Sequence, residues 1–341
     1  MGFAGRIIHD GRIKQLWPVY VFLAAMIIYA CYELIERFVP TRALPPLAER
    51  LAEIRKNVQP DDFSFAVIGD SKDDKKVFPE ILSRINDDPS IAFVIHLGDA
   101  VEDPDRQLYQ EFLETIETFL HKPILLVPGN HDVSPADGGL YERHFGPKQY
   151  AFTIGRARFV IANTEDGPLS LLSEPGRRWL RDELDKSGSN RPVLLFMHHP
   201  LFDPRGNGLH HCLQPAASGR LLAIFSRYRV DHIFAGHVHG YWKGAWNNIP
   251  YTVSGGGGAM LAVDKPSHGL YHFFKIRIKE GRIDEETVPV QETRVTKSEN
   301  EFVSRMKIEP FETALLTVML CCILAMVLKG IAFIRHRRKT R

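Results

Sequence analysis

The sequence predicts an α/β domain, built on a mixed sheet or on two stacked sheets, with an apolar segment of membrane length at each end of the chain. Three observations predict it. From residue 60 onward, short apolar runs alternate with stretches of helical spacing, which is how strand–helix–strand units read. Two further pairs of strand-like runs are joined by short turns, so part of the sheet is antiparallel. Both ends of the chain are apolar over about 20 residues, the length that crosses a hydrocarbon core.

The ends come first. Leu16 to Ile35 carries a single charge, Glu33, and residues 313–334 are apolar except for Lys329. Neither shows the polar face of a soluble helix, so both are expected to be transmembrane helices. Arg6, Arg12 and Lys14 precede the first; Arg335, Arg337, Arg338, Lys339 and Arg341 follow the second. Positive flanks mark both termini as cytoplasmic and place the domain between the spans on the opposite face of the membrane, the plasma or inner membrane in a bacterium. The expected organisation is a cytoplasmic segment 1–15, a span 16–35, a linker or stalk 36–61, the globular domain 62–290, a linker 291–312, a span 313–334 and a basic tail 335–341. Pro40, Pro45 and Pro46 interrupt helix in the stalk, and Leu47 to Asn57 resumes it.

The bulk numbers narrow the function. The chain of 341 residues is 44% hydrophobic and 25% charged, ample for a core, and its net charge of +2 indicates no nucleic-acid partner. Of four cysteines, Cys31, Cys321 and Cys322 lie in the terminal apolar segments, which leaves Cys212 alone in the domain and excludes an intradomain disulfide.

Within the domain, buried strands are expected at Phe63–Gly69, Ile91–Leu97, Ile124–Val127, Val193–Met197 and Ile233–Ala235. Helices are expected at Lys75–Asn86, Asp105–Leu120, Ser173–Lys186 and Ala216–Tyr228. The antiparallel pairs are Tyr150–Ile154 with Arg158–Ala162, and Tyr271–Ile278 with Arg282–Val288. The residues after the strands carry the information. In turn they are Gly69-Asp70, Gly98-Asp99, Gly129-Asn130-His131-Asp132, His198-His199-Pro200 and Gly236-His237-Val238-His239. A Gly-Asp pair alone is an ordinary turn. Five successive strand ends that deliver carboxylate, amide and imidazole groups to the carboxyl edge of a sheet are a site.

These residues resemble the calcineurin-like metallophosphoesterases over roughly residues 62–290. The family pattern is GDxH, GDxx, GNHD/E, a strand ending in His, and GHxH. The resemblance implies two mixed sheets packed face to face and flanked by helices, an α/β/β/α sandwich. It also implies two divalent metal ions. Asp99 would bridge them; Asn130, His198 and His237 would complete the second ion's shell; Asp70 and His239 would hold the first. His131 would stand beside the leaving-group oxygen as proton donor or transition-state stabiliser, with Asp132 orienting it. Ser254-Gly255-Gly256-Gly257-Gly258 is similar to a glycine-rich turn that follows GHxH in these enzymes.

The chemistry is legible without the family. Two cations about 3.5–4 Å apart activate a shared water as hydroxide and neutralise the phosphoryl oxygens. Mixed Asp, Asn and His donors suit Mn, Fe or Zn. One position departs from the pattern: GDxH asks for histidine at Lys72, and an ammonium does not coordinate. Three outcomes are open: compensation by Glu102, or less readily by Asp73 or Asp74; a weak first site; or direct contact between Lys72 and substrate phosphate. Purple acid phosphatases also lack this histidine and use a tyrosine three residues after the bridging aspartate, the place of Glu102 here. The expected function is a membrane-anchored, metal-dependent phosphomono- or phosphodiesterase, with a lipid-linked phosphoester as one candidate substrate. The alternative is a catalytically silent membrane receptor for phosphorylated ligands. Elsewhere, His199 is a candidate for substrate contact, as are His210 and His211 in a Gly/Pro-rich loop. His96 reads as a core histidine, and Trp242 and Trp246 as core or pocket walls.

Overall fold

The computed structural model describes Val19 and residues 21–30, 42–134, 138–166, 172–188, 192–206, 212–263 and 266–290. The chain divides into two compact units, 1–40 with 294–341, and Thr41–Thr293. In the first unit the described residues, Val19 and 21–30, are helical. No helix among the described residues is long and apolar enough to cross a membrane. The expected span 16–35 lies partly outside the described residues, and the span 313–334 with its basic tail lies wholly outside them.

The second unit contains two sheets. The first has the order β11-β10-β1-β2-β3, and the second β4-β5-β6-β7-β9-β8. Strand β1 (Asp62–Ile68), β2 (Ile91–His96) and β3 (Ile124–Leu126) run parallel, and β10 (His272–Lys279) and β11 (Arg282–Pro289) close that sheet as an antiparallel edge. In the other sheet β5 (Ala157–Ile161), β6 (Val193–Met197), β7 (His232–Ala235) and β9 (Ile249–Ser254) are parallel. Antiparallel β4 (Tyr150–Ile154) and β8 (Tyr241–Trp246) form its edges. Both sheets are mixed, as the paired runs in the sequence required.

The inner faces of the sheets meet through aromatic side chains. Phe65 and Phe93 stack at 5.0 Å between centroids, Phe159 stands edge-on to Phe65 at 5.3 Å, and Phe196 stacks on Phe234 at 5.0 Å. Phe65, Phe93, Phe159, Phe196, Phe234 and Phe274 are completely buried in one cluster. Burial of each such ring stabilises the fold by about 1.5–3 kcal/mol, and the strands must alternate sides to supply it. The outer face of the first sheet is covered by α2 (Val77–Asp87), α3 (Arg106–Phe119) and α4 (Leu140–Phe145). That of the second is covered by α5 (Glu174–Asp185) and α6 (Pro215–Arg227). Helix α3 starts where the Asp105 carboxylate accepts from the amides of Gln107 and Leu108, and α5 where the Ser173 hydroxyl accepts from Gly176.

Three features lay beyond the sequence reading. Helix α1 (Leu47–Asn57), assigned to the stalk, packs on the domain: Leu51 and Ile54 join the inter-sheet core. From the same helix, buried Arg50 donates to the carbonyls of Pro45, Ile124 and Phe145 at 2.7–2.8 Å. Strands β8 and β9 were not expected. Trp242 and Trp246 belong to β8 and are buried in the outer core, Trp246 stacked on Tyr251 at 3.8 Å, which settles their use as packing. Helix α4 is too short to show a helical period.

Candidate metal and phosphoester site

Each expected strand end lies where its strand runs out, and the backbone turns so sharply there that several side chains sit at positive φ. Asp70 (61°), Lys72 (43°), Asp99 (53°) and His237 (67°) are all in the left-handed region. Non-glycine residues in that region store of order 1–3 kcal/mol of strain. Cross-bonds hold them there: the Asp70 amide donates to the Gly98 carbonyl at 3.0 Å, Lys72 to that of Asp99 at 3.1 Å, and Gly236 to that of His198 at 2.9 Å. The His237 amide donates to both Asp70 carboxylate oxygens at 3.0 Å, and the His131 amide to Asp99 Oδ1 at 3.0 Å. Behind Asp70, the glycine-rich run donates from Gly257 to the Gly69 carbonyl and from Ala259 to that of Asp70, at 2.8 and 2.9 Å.

Four donor atoms expected around the second ion converge. His198 Nε2 lies 3.0 Å from Asn130 Oδ1, 3.2 Å from Asp99 Oδ1 and 3.2 Å from His237 Nδ1. Donors about 2.1 Å from a cation stand about 3.0–3.4 Å from their neighbours, so this spacing fits a transition-metal ion. The His198 tautomer is set for it, because Nδ1–H donates to the Leu97 carbonyl at 2.9 Å and leaves Nε2 a bare lone pair. Burial, before any neighbouring charge, lowers the His198 pKa and keeps the ring neutral. Burial would raise the Asp99 carboxyl, but His198, His131 and Lys72 together hold it below its ordinary value. Asp70, Asp99 and His198 ligand atoms, and separately those of His198, His199 and His237, lie within 4.8 Å of one another.

The first ion's position is different. Asp70 and His239 are both in place, His239 Nε2 at 3.6 Å from Asp70 Oδ1, and His239 Nδ1–H donates to the Met260 carbonyl at 2.9 Å. Burial lowers His239 to about 4, so it too is neutral. Burial and the Asp99 charge raise Asp70 well above the carboxylate range. Where GDxH would bring a second imidazole to this ion, the Lys72 ammonium stands 3.7 Å from Asp99 Oδ2 and 3.6 Å from Glu102 Oε2. Asp99 Oδ2 is buried and accepts no hydrogen bond. The two Asp99 oxygens therefore face different neighbours, one the second-ion cluster and the other a lysine.

Of the compensating ligands considered from sequence, Glu102 and Asp74 have other partners, and Asp73 has one oxygen engaged. Glu102 is half exposed and pairs with Lys72. The Asp74 carboxylate accepts from the amides of Lys76, Val77 and Phe78 and so caps α2. Asp73 Oδ2 accepts from the Glu102 amide at 3.0 Å.

His131 is partly exposed at the rim. Its Nδ1–H donates to the Glu102 carbonyl at 2.6 Å, which leaves Nε2 free to serve a leaving group. Asp132 does not orient that ring, as the sequence had suggested. It is fully buried and clasps backbone instead, Oδ1 accepting from Ala100 and Val101 at 2.8 and 3.3 Å and Oδ2 from Gly129 at 2.8 Å. Burial, then the Asp99 charge, pushes Asp132 up to about 7. The clasp locks the Asp99 and Asn130 turns together. Gly129 must be glycine within it, since a Cβ would sit 2.2 Å from the Asp99 amide nitrogen and 2.3 Å from Asp99 Oδ1.

The remaining histidines resolve by their partners. His96 is buried and neutral, its pKa lowered to about 3 by burial; its Nδ1 accepts from the Gly98 amide at 3.2 Å and its Nε2 lies 3.1 Å from Ser71 Oγ. His199 Nδ1 lies 2.6 Å from Glu165 Oε1, and the His199 ring packs against that of His237, 3.9 Å between centroids and tilted by 36°. Glu165 is the residue that sequence reasoning missed. It follows β5 in Asn163-Thr164-Glu165, so the strand-end logic applied to the other strands would have found it. His210 and His211 lie outside the described residues.

A parallel-edge cluster of Asp, Asn and His with a rim histidine, carried on two stacked mixed sheets, defines a metal-dependent phosphoesterase. The comparisons agree. Residues 63–241, just over half the chain, match the calcineurin-like phosphoesterase family, and the chain belongs to that family, a class of metal-dependent phosphoester hydrolases whose members generally use a dinuclear divalent metal site. A probable cyclic nucleotide phosphodiesterase of Rhodopseudomonas palustris is 30% identical over 55% of this chain and 72% of its own length. The 3',5'-cyclic adenosine monophosphate phosphodiesterase of Escherichia coli is 29% identical over 45% of this chain, which spans 56% of that enzyme. Among solved structures, the purple acid phosphatase of yellow lupin superposes with a TM-score of 0.56 at 17% identity, covering 70% of this chain and 53% of that one, and supports the fold.

Proposed function

We propose that the protein hydrolyses phosphodiesters at the outer face of a membrane, with a divalent ion held by Asp99, Asn130, His198 and His237. One observation carries the catalytic part: the convergence of Asn130 Oδ1, Asp99 Oδ1 and His237 Nδ1 within 3.2 Å of His198 Nε2. The ion supplies Lewis acidity, lowering the pKa of a water and drawing charge from the phosphoryl group. The chain's own groups do the rest. As the imidazolium, His131 would give its Nε2 proton to the departing oxygen as the P–O bond breaks and be left as the neutral ring, while its Nδ1–H bond to the Glu102 carbonyl holds it in place throughout. Asp132 keeps the Asp99 and Asn130 turns at fixed separation.

A diester substrate is favoured by the names of the bacterial relatives, both cyclic nucleotide phosphodiesterases. Membrane anchoring by residues 16–35 and 313–334, with both termini cytoplasmic, is supported by the apolar length and flanking charge of the sequence, and it brings lipid-linked phosphoesters within reach as substrates. The purified full-length chain in detergent with Mn is expected to hydrolyse bis-(p-nitrophenyl) phosphate, faster than p-nitrophenyl phosphate. Asn130→Ala and His131→Ala are expected to reduce the rate at least 100-fold. Absence of turnover with Mn, Fe and Zn alike would favour a ligand-binding receptor instead. A reporter enzyme fused to the C-terminus should be active on the cytoplasmic side; activity on the other side reverses the topology.

A further inference from the structure

Lys72 sits at the point where this chain departs from its family, and its placement has a chemical logic. The residue is held at φ 43° by an amide bond to the Asp99 carbonyl, so its side chain is aimed by the backbone. Only 13% of the side chain is exposed. Its ammonium stands 3.7 Å from Asp99 Oδ2, the buried oxygen that accepts no hydrogen bond, and 3.6 Å from Glu102 Oε2 at the rim. Its field also acts on Asp70 and on His239, so one positive charge serves all three donors assigned to the first ion. A dication placed among those donors would face this ammonium at close range in a buried site, where repulsion is weakly screened. It would also lack an imidazole, and the two carboxylates best placed to replace it are held by other partners: Glu102 pairs with Lys72 and Asp74 caps α2. The first position thus does not fit a metal ion, whereas the second does.

We propose that Lys72 takes the first ion's place: the protein holds one divalent ion, at Asp99, Asn130, His198 and His237, and the Lys72 ammonium provides the second positive charge that receives the phosphoryl oxygens. The inference rests on the phosphoester reading of the same site but is testable without turnover. An ammonium on a flexible stem binds phosphate as a point charge and needs no fixed coordination geometry. Glu102, bridging the Lys72 ammonium and the His131 ring at 3.6 Å each, holds the lysine toward the rim where the phosphoryl group arrives.

Metal content and inorganic phosphate binding decide the matter. The full-length chain, loaded with excess Mn and dialysed, should carry one Mn per chain and give the electron paramagnetic spectrum of an isolated ion. Lys72→His restores the family's ligand and should carry two, with the spectrum of a spin-coupled pair. Histidine tolerates the left-handed backbone at this position. Lys72→Met should keep one Mn, with a melting temperature like that of the parent, and bind inorganic phosphate at least tenfold more weakly by titration calorimetry. Two coupled Mn ions in the parent chain would overturn the proposal, as would unchanged phosphate affinity in Lys72→Met. These readouts survive a failure of the hydrolase reading: a chain with no turnover but one isolated Mn and Lys72-dependent phosphate binding would refute catalysis and uphold the charge substitution.

Discussion

Removing the Asp132 carboxylate is expected to unlock the metal site from behind. Its two oxygens accept three backbone amides, from Ala100, Val101 and Gly129, all buried. Asp132→Ala leaves those three buried donors without their acceptor. An orphaned buried donor costs about 1–3 kcal/mol. Two short bonds of 2.8 Å and one longer of 3.3 Å therefore predict a loss of about 3–6 kcal/mol. A typical domain has only about 5–15 kcal/mol in total, so the variant should fold marginally. Asp132→Asn keeps one acceptor oxygen but turns an NH2 group toward one of the amides, and should lose about 1–3 kcal/mol. Denaturant titration of the full chain, followed by tryptophan fluorescence, should show the midpoint falling in that order with the slope unchanged. Because the clasp sets the distance between the Asp99 and Asn130 turns, an error of about 1 Å in that distance is worth roughly 100-fold in rate. Metal affinity and rate should therefore fall together in Asp132→Asn even where the chain remains folded. A loss below about 1 kcal/mol in Asp132→Ala, or intact metal binding in that variant, refutes the clasp.

Three other outcomes follow from the same geometry. Gly129→Ala drives a methyl group to within 2.3 Å of Asp99 Oδ1 and its amide, so the variant should lose metal binding and about 1–3 kcal/mol of stability, measured by metal analysis and denaturant titration. Glu165→Ala strips the partner from His199, whose ring supports His237 at 3.9 Å; metal affinity should fall 10–100-fold in a competition titration with a chelator, while the fold persists. His272 is fully buried, its Nδ1–H donating to the Leu270 carbonyl and its Nε2 accepting from Ser254, and burial lowers it to about 4. The unfolded chain takes up this proton near pH 6.5 and the folded one only near 4, so stability is lost as pH falls through that window, by about 1.4 kcal/mol per unit. His272→Gln should flatten the stability-against-pH slope between pH 6.5 and 4; an unchanged slope would assign the effect to other groups.

Much of this was legible in the sequence because strand ends carry both signals at once. Val193–Met197 and Tyr150–Ile154 were bounded correctly because their runs stop at Pro192 and His198, and at Gln149 and Gly155, which are turn-forming or polar residues. Expected and observed ends differ by about one or two residues in the helices, where caps such as Asp105 and Ser173 lie just outside the first turn. Strand β8 escaped because its sequence, Tyr241–Trp246, places Lys243, Gly244 and Ala245 on an exposed edge and shows no apolar run. The role of Asp132 escaped for another reason: its partners are backbone amides, those of Ala100 and Val101 being 32 and 31 positions away, and a backbone amide leaves no mark in the sequence. The same holds for the Leu97 and Met260 carbonyls that set the tautomers of His198 and His239. Donor type was readable; donor orientation was not.

That distinction bears on the two halves of the site. At the second ion's position His198, Asp99 and the Asn130 turn are aimed by groups that are not themselves ligands: His198 by the Leu97 carbonyl, Asp99 by the His131 amide, and the Asp99 and Asn130 turns by Asp132. At the first position Asp70 is aimed by the His237 amide and His239 by the Met260 carbonyl, yet the remaining oxygen, Asp99 Oδ2, faces an ammonium. A scaffold that had merely decayed would have no reason to keep the first pair aimed and the lysine aimed with them. Backbone bonds hold Asp70, Lys72, Asp99 and His237 in left-handed conformations. Strain of that kind persists where the surrounding structure over-determines it, and it clusters where a site works. Both halves are therefore built, one to hold a cation from solution and the other around a cation that the chain carries itself.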